Sequence, residues 1–550
     1  MLPVLPVLPV LPVLPVLEDG MESLQKQEII RTPEAKGMRA QISDKPSVIT
    51  AKELPVRLEF QLNEQRTAPV GHYEAEPEYR QAKQGAATRP PATRRTRNQQ
   101  ADAQPADPAL ILQSLRLPAD SAGTEDAGWA PPDGCMAVGP AHLLIAVNAA
   151  CAVYDKSGRQ LLFADLRDWF APVLQEAEIF NPKVVFDQQR GCWLLAACAS
   201  NAERTQARFL LAVSHTSDPQ DKWWVWSLDA SVDGSLKTSN WADGLGLAVD
   251  NTAVYLSANM FDNQARFVYA KLRTLFKREV YTGGQLHAWD HWDLRNPNGT
   301  PAFGVTPALN LGGTDVQHFL NALPDGKGLV HWSIQQAAPR SPQLSRRHLV
   351  TLEYRLAPNG KLFNSDTEVE TGDTRLSNVV FRNGSLWTAH TVSANWGGGT
   401  NVAAIQWFQI NPLTGSVTQQ GVYGTPHAHY FCPSVMVDRH NRMMLVFNRT
   451  GETEFPAIRF TGRRASDRPN TLQASALLKQ SPVPGGKVWS ACSGASLDPS
   501  GSDFWIIGQY SIGRNEWATW IGETAYAPRA TDYNTPSVRS RSRGRRAVYA

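Results

Sequence analysis

The chain has 550 residues, of which 42% are apolar and 19% charged, and its formal net charge is +3. A charge so close to neutral argues against a general nucleic-acid-binding protein, which would show a basic face. No window approaches the roughly 18 consecutive apolar residues of a transmembrane helix. Seventeen tryptophans, 40 glycines and 38 prolines favour an all-β protein of many short strands.

The chain opens on "MLPVLPVLPVLPVLPVLEDG", in which proline recurs at every third position. That spacing forbids the apolar helix of a secretory signal and suits polyproline II, so no signal peptide is recognisable. Residues 1–104 are rich in proline and polar residues and predict a low-complexity, disordered tail. One weak ordered piece is expected within it, at 47–62.

From 105 to 527 the sequence alternates short apolar runs with clusters of Gly, Asn, Asp and Pro, and it repeats one pattern seven times. Each unit reads as a short strand, a polar turn and a second strand with an aromatic or large aliphatic anchor. The units are 134–155, 181–200, 242–262, 316–334, 375–393, 430–451 and 491–510. Their anchors are Val147, Trp193, Tyr255, Val330, Trp387, Leu445 and Trp505.

A hairpin unit recurring at this interval is typical of a β-propeller, in which each unit is one four-stranded blade. A single blade has two apolar faces, and only a closed ring buries all of them. We therefore expect an all-β propeller, most simply of seven blades, with six or eight left open. Residues 108–117 could add a strand that closes the ring, and 528–550 form a basic, disordered C-terminal tail.

An Asp or Asn lies in the turn of six of the seven units. Such a side chain accepts hydrogen bonds from the backbone two residues further on and so fixes a turn. We interpret these residues as turn-formers placed between the first and second strands of their blades, and not as catalytic carboxylates. They are Asp187, Asp250, Asp325, Asn383, Asp438 and Asp498.

Several strings match a known family in order, among them "PPDGCMAVGPAHLLIAVNAACAVYDKSGRQL" (131–161), "NPKVVFDQQRGCWLL" (181–195) and "SGASLDPSGSDFWIIGQY" (493–510). Together they resemble bacterial, usually exported, largely uncharacterised β-propeller proteins that are loosely labelled sialidase-like. The resemblance implies the propeller fold and an extracellular or periplasmic location. It implies no activity. Where the family has Trp-Gly-Asp-Tyr-Ser, this chain keeps Trp489 but has Ala491 and Cys492 in place of Asp and Tyr.

No complete catalytic set is recognisable. Sialidase-type propellers gather arginines from different blades, whereas Arg459, Arg463 and Arg464 share one segment with Asp467, which favours a loop-stabilising pair. The chain has neither a Gly-x-Ser-x-Gly elbow nor a phosphate-binding glycine loop.

Histidines near carboxylates in "HAWDHWD" (287–293), and the pair His427 and His429, lack the remaining ligands of a metal site, so no metal and no cofactor are predicted. The six cysteines form no Cys-x-x-Cys pair; buried free thiols are expected, with one or two disulfides left open.

We interpret the protein as a non-catalytic binding or scaffold module for a protein or glycan partner, because the loops around a propeller channel determine its function. The alternatives are a sialidase-like glycoside hydrolase and a structural surface protein. Polar and aromatic residues near the matching strings give the candidate binding site: Asp133, His215, Asp243, His390, Arg464 and Trp489.

Overall fold

The computed structural model describes residues 28–29, 38–43, 45–55, 70–90, 131–174, 177–335, 342–397, 399–487, 489, 493–513 and 516–526. Helices within these ranges are short: α1 (Glu76–Ala86), α2 (Leu166–Phe170), α3 (Lys277–Val280) and a 3-10 turn at Ala51–Glu53. Nearly all other regular structure is antiparallel β-sheet.

The strands form seven consecutive sheets, blades 1 to 7, and each blade runs from its innermost strand outward. Blade 1 consists of Cys135–Val138, His142–Val147, Ala150–Asp155 and Gln160–Asp165. Blade 2 consists of Glu178–Asp187, Cys192–Ser200, Ala207–Ser214 and Lys222–Asp229. Blade 3 consists of Trp241–Val249, Ala253–Phe261, Phe267–Phe276 and His287–His291. Blades 4 and 5 are Thr306–Asn310, Val316–Ala322, Leu329–Gln335 and Gln343–Leu349; and Asn378–Arg382, Ser385–Ala394, Val402–Asn411 and Ser416–Tyr423. Blades 6 and 7 are Ala428–Val437, Met443–Gly451, Glu454–Arg463 and Ala476–Gln480; and Ser493–Leu497, Asp503–Ser511 and Trp517–Ala525. Two small ribbons, Val232–Asp233 with Leu236–Lys237 and Gly360–Lys361 with Glu368–Val369, lie in connections.

The blades close into a ring around a central channel. Consecutive innermost strands contact one another from blade 1 to blade 7, and the innermost strand of blade 7 contacts that of blade 1. Between blades 4 and 5 the innermost strands pair in parallel, with Ala308 opposite Val379. The predicted seven-bladed propeller is confirmed, although blade 7 has three strands, not four, within the described part of the chain.

Each interface between neighbouring blades is filled by apolar side chains. Trp193 and Trp223 lie in the cluster between blades 1 and 2, and Trp332 lies in the cluster between blades 3 and 4. Where the circle of blades closes, Trp505 of blade 7 packs with Ile145 of blade 1. An aromatic side chain that buries about 150–250 Å² gains about 4–6 kcal/mol of transfer free energy at about 25 cal/mol per Å². Packing between blades is thus the main stabilising contribution.

The predicted turn residues behave as expected in five of six cases. The Asp187, Asp250, Asp325, Asp438 and Asp498 carboxylates each accept from the backbone N–H two residues on. Asn383 differs: its backbone has a φ of 48°, and its amide donates to the Arg439 carbonyl of the next blade. Asn tolerates this left-handed conformation, so the residue forms its turn through its backbone.

The interpretation of blade 4 is wrong by one strand. The 316–334 hairpin comprises its second and third strands, so Val330 and Asp325 lie one strand further out than predicted. The true innermost strand, Thr306–Asn310, ends before Leu311-Gly312-Gly313 and was missed because "TPALN" is too short to read as a strand.

The segment 1–104, expected to be a disordered tail, contributes structure wherever it is described. Glu28–Ile29, Met38–Gln41 and Ser47–Thr50 add a fifth, outermost strand to blades 4, 3 and 2 respectively. The weak ordered piece expected at 47–62 begins as one of these strands. Its residues from 56 on lie outside the described residues, as do 1–27, 108–117 and 528–550.

Asp438 tests the turn mechanism. Its carboxylate is fully buried and accepts from the N–H groups of His440 (2.8 Å) and Arg442 (2.9 Å). We expect Asp438→Ala to lower the free energy of unfolding by about 2 kcal/mol, because it leaves these donors unsatisfied. The exposed Asp325 is the matched control, and Asp325→Ala should cost less than about 0.5 kcal/mol. Urea denaturation measures both; equal losses would contradict the expectation that burial makes the turn hydrogen bonds of Asp438 the more stabilising.

Candidate binding site at the channel mouth

A cavity of about 290 Å³ lies in the channel where the innermost strands begin. All seven blades contribute to its wall, and so do Val70 and His72 from the N-terminal region. We call this end of the channel the channel mouth. A smaller cavity of about 180 Å³ is lined by the residues at which the innermost strands end, among them Asp187 and Asp250.

Asp133 joins three blades at the channel mouth. Its Oδ2 accepts from Nδ2 of Asn148 (3.2 Å) and of Asn181 (3.1 Å). Asn181 in turn accepts through Oδ1 from the backbone N–H of Gly244 in blade 3 (2.9 Å). Asp133, Asn148 and Asn181 are all buried, so their hydrogen bonds to each other satisfy polar groups that water does not reach.

Asp243 lies in the innermost strand of blade 3, lines the cavity and is buried at 2% exposure. Its Oδ2 accepts the backbone N–H of Gly71 at 2.8 Å. Burial raises the pKa of this carboxyl, and Arg375 together with two backbone N–H groups offsets only part of that effect.

Asp373 and Arg375 form the strongest ion pair of the site. Nε of Arg375 lies 2.8 Å from Oδ1 of Asp373, and an Nη lies 2.6 Å from Oδ2. Burial opposes ionisation of Asp373, but Arg375 and His72 outweigh it and hold the pKa of Asp373 well below its usual range. Arg375 also donates to the carbonyl of Gly71 at 2.6 Å. The side chains of Asp243 and Arg375 therefore bind the backbone N–H and the backbone carbonyl of one residue, Gly71.

Residues 70–90, which we call the mouth segment, cover the cavity. Helix α1 anchors the segment on the connection between blades 4 and 5 through two buried side chains: the Tyr79 hydroxyl donates to Glu370 (3.0 Å), and the Lys83 ammonium donates to Thr371 (2.7 Å). Burial lowers the pKa of Lys83 to about 8. At the end of the segment, the side-chain amide of Asn401 donates to the carbonyl oxygens of residues 86 (2.8 Å) and 89 (2.6 Å).

The structure divides the predicted site residues into three groups. Asp133 and Asp243 line the cavity. His390 and Trp489 lie behind its wall: Nδ1 of His390 is 2.8 Å from the carbonyl oxygen of Thr374, and Trp489 belongs to an apolar cluster with the cavity-lining Cys432.

His215 and Arg464 lie elsewhere. His215 follows the third strand of blade 2, with its ring centroid 3.7 Å from that of Trp224. Arg464 follows the third strand of blade 6, and its guanidinium lies 5.0 Å from the centre of the Tyr526 ring. Its backbone N–H donates to Oδ2 of Asp467 at 2.8 Å, which stabilises the loop through the main chain.

Sequence reasoning missed His72, Lys183, Asp373 and Arg375. Asp373 and Arg375 carry a local signal, since residues two apart in an extended segment point to the same side. His72 carries none, because it lies in a stretch whose composition indicates a tail and its ion partner Asp373 is far along the chain.

Among the described residues, no group of three or more His, Cys, Asp or Glu side chains could hold a metal ion. Asp290 of "HAWDHWD" instead binds Arg273, with an Oδ1–Nε distance of 2.7 Å. Five cysteines of the described ranges are free thiols: Cys135, Cys151, Cys192, Cys198 and Cys432. Cys492 lies outside those ranges. Within those same ranges, no helix combines the length and apolar character needed to cross a membrane.

No family model and no curated protein matches the chain. Solved structures similar to it include a Dyadobacter fermentans protein of unknown function (9% identity, TM-score 0.37, covering 64% of this chain and 96% of that one). A Penicillium chrysogenum α-L-arabinanase complexed with arabinobiose has 9% identity and a TM-score of 0.34, covering 75% and 98%. The Trypanosoma rangeli sialidase in complex with the inhibitor DANA has 8% identity and a TM-score of 0.32; the match covers 63% of this chain and only 55% of the sialidase. At these identities and scores the comparisons carry no argument about activity.

The two aspartates should respond to pH in opposite ways. Asp373 has a lowered pKa in the folded protein, so its stabilisation is full above the unfolded value of about 3.9 and is lost as pH falls towards the folded pKa. Asp373→Asn should therefore cost about 3 kcal/mol at pH 7, and less below pH ~4. Asp243 has a raised pKa, so its contribution is present at acid pH and lost as pH rises through the folded value.

Asp243→Asn should accordingly match or exceed the wild-type stability at pH 7, with the difference vanishing in acid. Urea unfolding between pH 3 and 7 measures both variants. A loss for Asp243→Asn at pH 7 as large as that for Asp373→Asn would contradict this assignment of charges.

Proposed function

We propose that the protein is a non-catalytic binding module whose ligand site is the channel mouth, with a protein or glycan partner. The observation that carries this proposal is that each cavity-lining aspartate already holds a donor from the protein. Asparagine amides bind Asp133, the Gly71 N–H binds Asp243, and the Arg375 guanidinium binds Asp373. Carboxylates held in this way position neighbouring groups, whereas a nucleophile or general base must reach a substrate atom.

Lys183 is a group that a ligand could use. It lines the cavity, and no acceptor for its ammonium lies within hydrogen-bonding distance in the described structure. A lysine ammonium is a compact charge with three donors, which suits a carbonyl, hydroxyl or carboxylate oxygen of a ligand. The cavity thus offers a donor beside acidic and apolar walls, a combination typical of binding sites.

One observation favours glycoside hydrolysis as a second candidate. Burial raises the pKa of Asp243, whereas Arg375 and His72 lower that of Asp373 despite burial. Two carboxyl groups whose pKa values are pushed apart are a recurrent acid and nucleophile arrangement in glycosidases. Because the mouth segment contacts both groups through Gly71 and His72, a substrate would have to displace it first.

Enzyme assays on full-length protein separate the two candidates. We expect no release of nitrophenol from a panel of chromogenic α- and β-glycosides, and no difference between wild type and Asp243→Asn. Turnover that Asp243→Asn abolishes would overturn the non-catalytic proposal.

The binding site itself can be tested with the cavity-lining thiols of Cys135 and Cys432. A ligand selected from a glycan array or a peptide library should slow maleimide labelling of both cysteines, as measured by peptide mass mapping. The matched control is Cys151, which is buried and does not line the cavity. Selected ligands that leave the labelling of Cys135 and Cys432 unchanged would place binding elsewhere and contradict the proposed site.

A further inference from the structure

The propeller holds Gly71 in a different way from the three outermost N-terminal strands. The three outermost N-terminal strands are held by sheet hydrogen bonds, backbone to backbone. Gly71 is held instead by side chains, since Asp243 accepts its N–H and Arg375 donates to its carbonyl. These two side chains recognise the backbone N–H and carbonyl of one residue, as they would recognise those of a residue from another molecule.

The position of Gly71 selects glycine. A Cβ built on this residue would lie 2.1 Å from Cζ of Phe261, far inside van der Waals contact. Phe261 has no room to retreat: it is fully buried, its ring is stacked at 5.2 Å on Trp241, and Phe267 lies 5.8 Å away. The main-chain clamp formed by Asp243 and Arg375 therefore accepts a peptide only where a glycine faces this ring.

The next residue occupies an acidic pocket. Nδ1 of His72 lies 3.6 Å from Asp373, and Nε2 lies 3.9 Å from Glu370. His72 is 8% exposed, and its Nδ1 has no hydrogen-bond partner in the described structure. The pocket thus presents two carboxylates from the connection between blades 4 and 5, and Glu76 of α1 adds a third at 3.7 Å, an arrangement that suits an imidazolium or another cation.

The third residue enters an aromatic slot. The Tyr73 ring lies 5.7 Å from Phe267 and 5.8 Å from Phe303, edge-on to the latter. Arg375 covers the Phe303 ring at 4.9 Å, so the slot borders the main-chain clamp. The subsites for the glycine and the aromatic ring are therefore built from the propeller, whereas the histidine subsite is completed by α1, whose Tyr79 ring stacks on His72 at 3.6 Å.

One contact of the remaining mouth segment is costly to form. Its α1 helix is held by the buried ammonium of Lys83, which must be taken out of water for two hydrogen bonds, to Thr371 Oγ1 and the Gly372 carbonyl. That desolvation cost weakens net binding of the segment to the propeller. The cavity of about 290 Å³ beneath it also remains unfilled by protein.

We infer that the channel mouth is a peptide-binding site for an extended segment in which glycine precedes a histidine or other cationic residue and then an aromatic residue, and that the chain fills this site in cis with residues 71–73. This inference rests on the proposed binding function and specifies its partner as a protein segment. A partner segment of this pattern exchanges with residues 71–73, and the affinity measured for it equals its intrinsic affinity multiplied by the fraction of molecules in which the site is open.

The test uses the full-length chain with Gly71→Ala, which forces residues 71–73 off Phe261 while leaving every residue of the propeller unchanged. Gly85→Ala is the matched control, because a Cβ at this position on α1 meets nothing within 4 Å. The probe is a fluorescein-labelled synthetic peptide with the sequence of residues 70–90, followed by fluorescence anisotropy. We expect the Gly71→Ala chain to bind it at least about tenfold more tightly than wild type or Gly85→Ala do.

Variants of the probe examine each subsite. A peptide carrying the Gly71→Ala change should not bind, and one carrying both His72→Ala and Tyr73→Ala should bind at least about tenfold more weakly than the native sequence, the loss expected for about 1.4 kcal/mol. Circular dichroism and a cooperative melt establish that each protein variant is folded. If Gly71→Ala does not fold, the double change His72→Ala with Tyr73→Ala replaces it, because it removes the side chains that hold residues 71–73 in the acidic pocket and the aromatic slot and leaves Asp243 and Arg375 unchanged.

A folded, opened chain that binds no peptide overturns the inference. If the same chain then binds glycans on an array, the site is a glycan site and the proposed binding function stands. If it binds neither class of ligand, the proposed function falls as well. Equal peptide affinity for wild type, Gly85→Ala and Gly71→Ala would also overturn the inference, since it would place the peptide outside the channel mouth.

Discussion

The structure depends on the mutual burial of blade faces around a closed circle. No single blade can hide both of its apolar surfaces, so each is stable only between two neighbours, and the last interface matters as much as the first. At that last interface Trp505 packs among blade 1 residues such as Ile145, and Lys156 binds Asp498 at 2.6 Å. Ring closure fixes the innermost strands in position and so brings residues far apart in sequence to one channel.

The channel mouth shows what such a rigid frame permits. Asp133, Asp243 and Asp373 come from three parts of the ring, and each is held by a donor: an asparagine amide for Asp133, the Gly71 N–H for Asp243 and the Arg375 guanidinium for Asp373. Buried carboxylates are costly unless they are hydrogen-bonded or paired, and at this site the partners come from the propeller and from the mouth segment together. Removing the segment would therefore change the electrostatics of the cavity as well as its accessibility.

Whether a feature could be predicted from the sequence depends on how far apart its interacting residues lie along the chain. The turns at Asp438 and Asp498 could be predicted because the carboxylate and its backbone donor lie two residues apart. The blade pattern could be predicted because Trp193 and Trp387 stand in strands whose alternation is local. Blade 4 was misjudged where its innermost strand is only five residues long.

Only some residues of the channel mouth could be predicted from the sequence. Asp133 and Asp243 lie in segments whose pattern places them where an innermost strand begins, so their position at the channel could be anticipated. The contacts of Gly71 and His72 could not, because they join partners 172 residues apart or more, and no local pattern encodes such a pairing. Composition averaged over residues 1–104 hid the eleven-residue helix α1 among prolines and polar residues.

The separation between the mouth segment and its partners also orders events during synthesis. Residues 70–90 leave the ribosome early, but Arg375 and Asn401, to which they bind, follow some 300 residues later. At about 5–20 residues per second, the delay is roughly 15–60 s. Every nascent chain thus passes through an interval in which the early blades exist and nothing yet covers the axis of the growing ring.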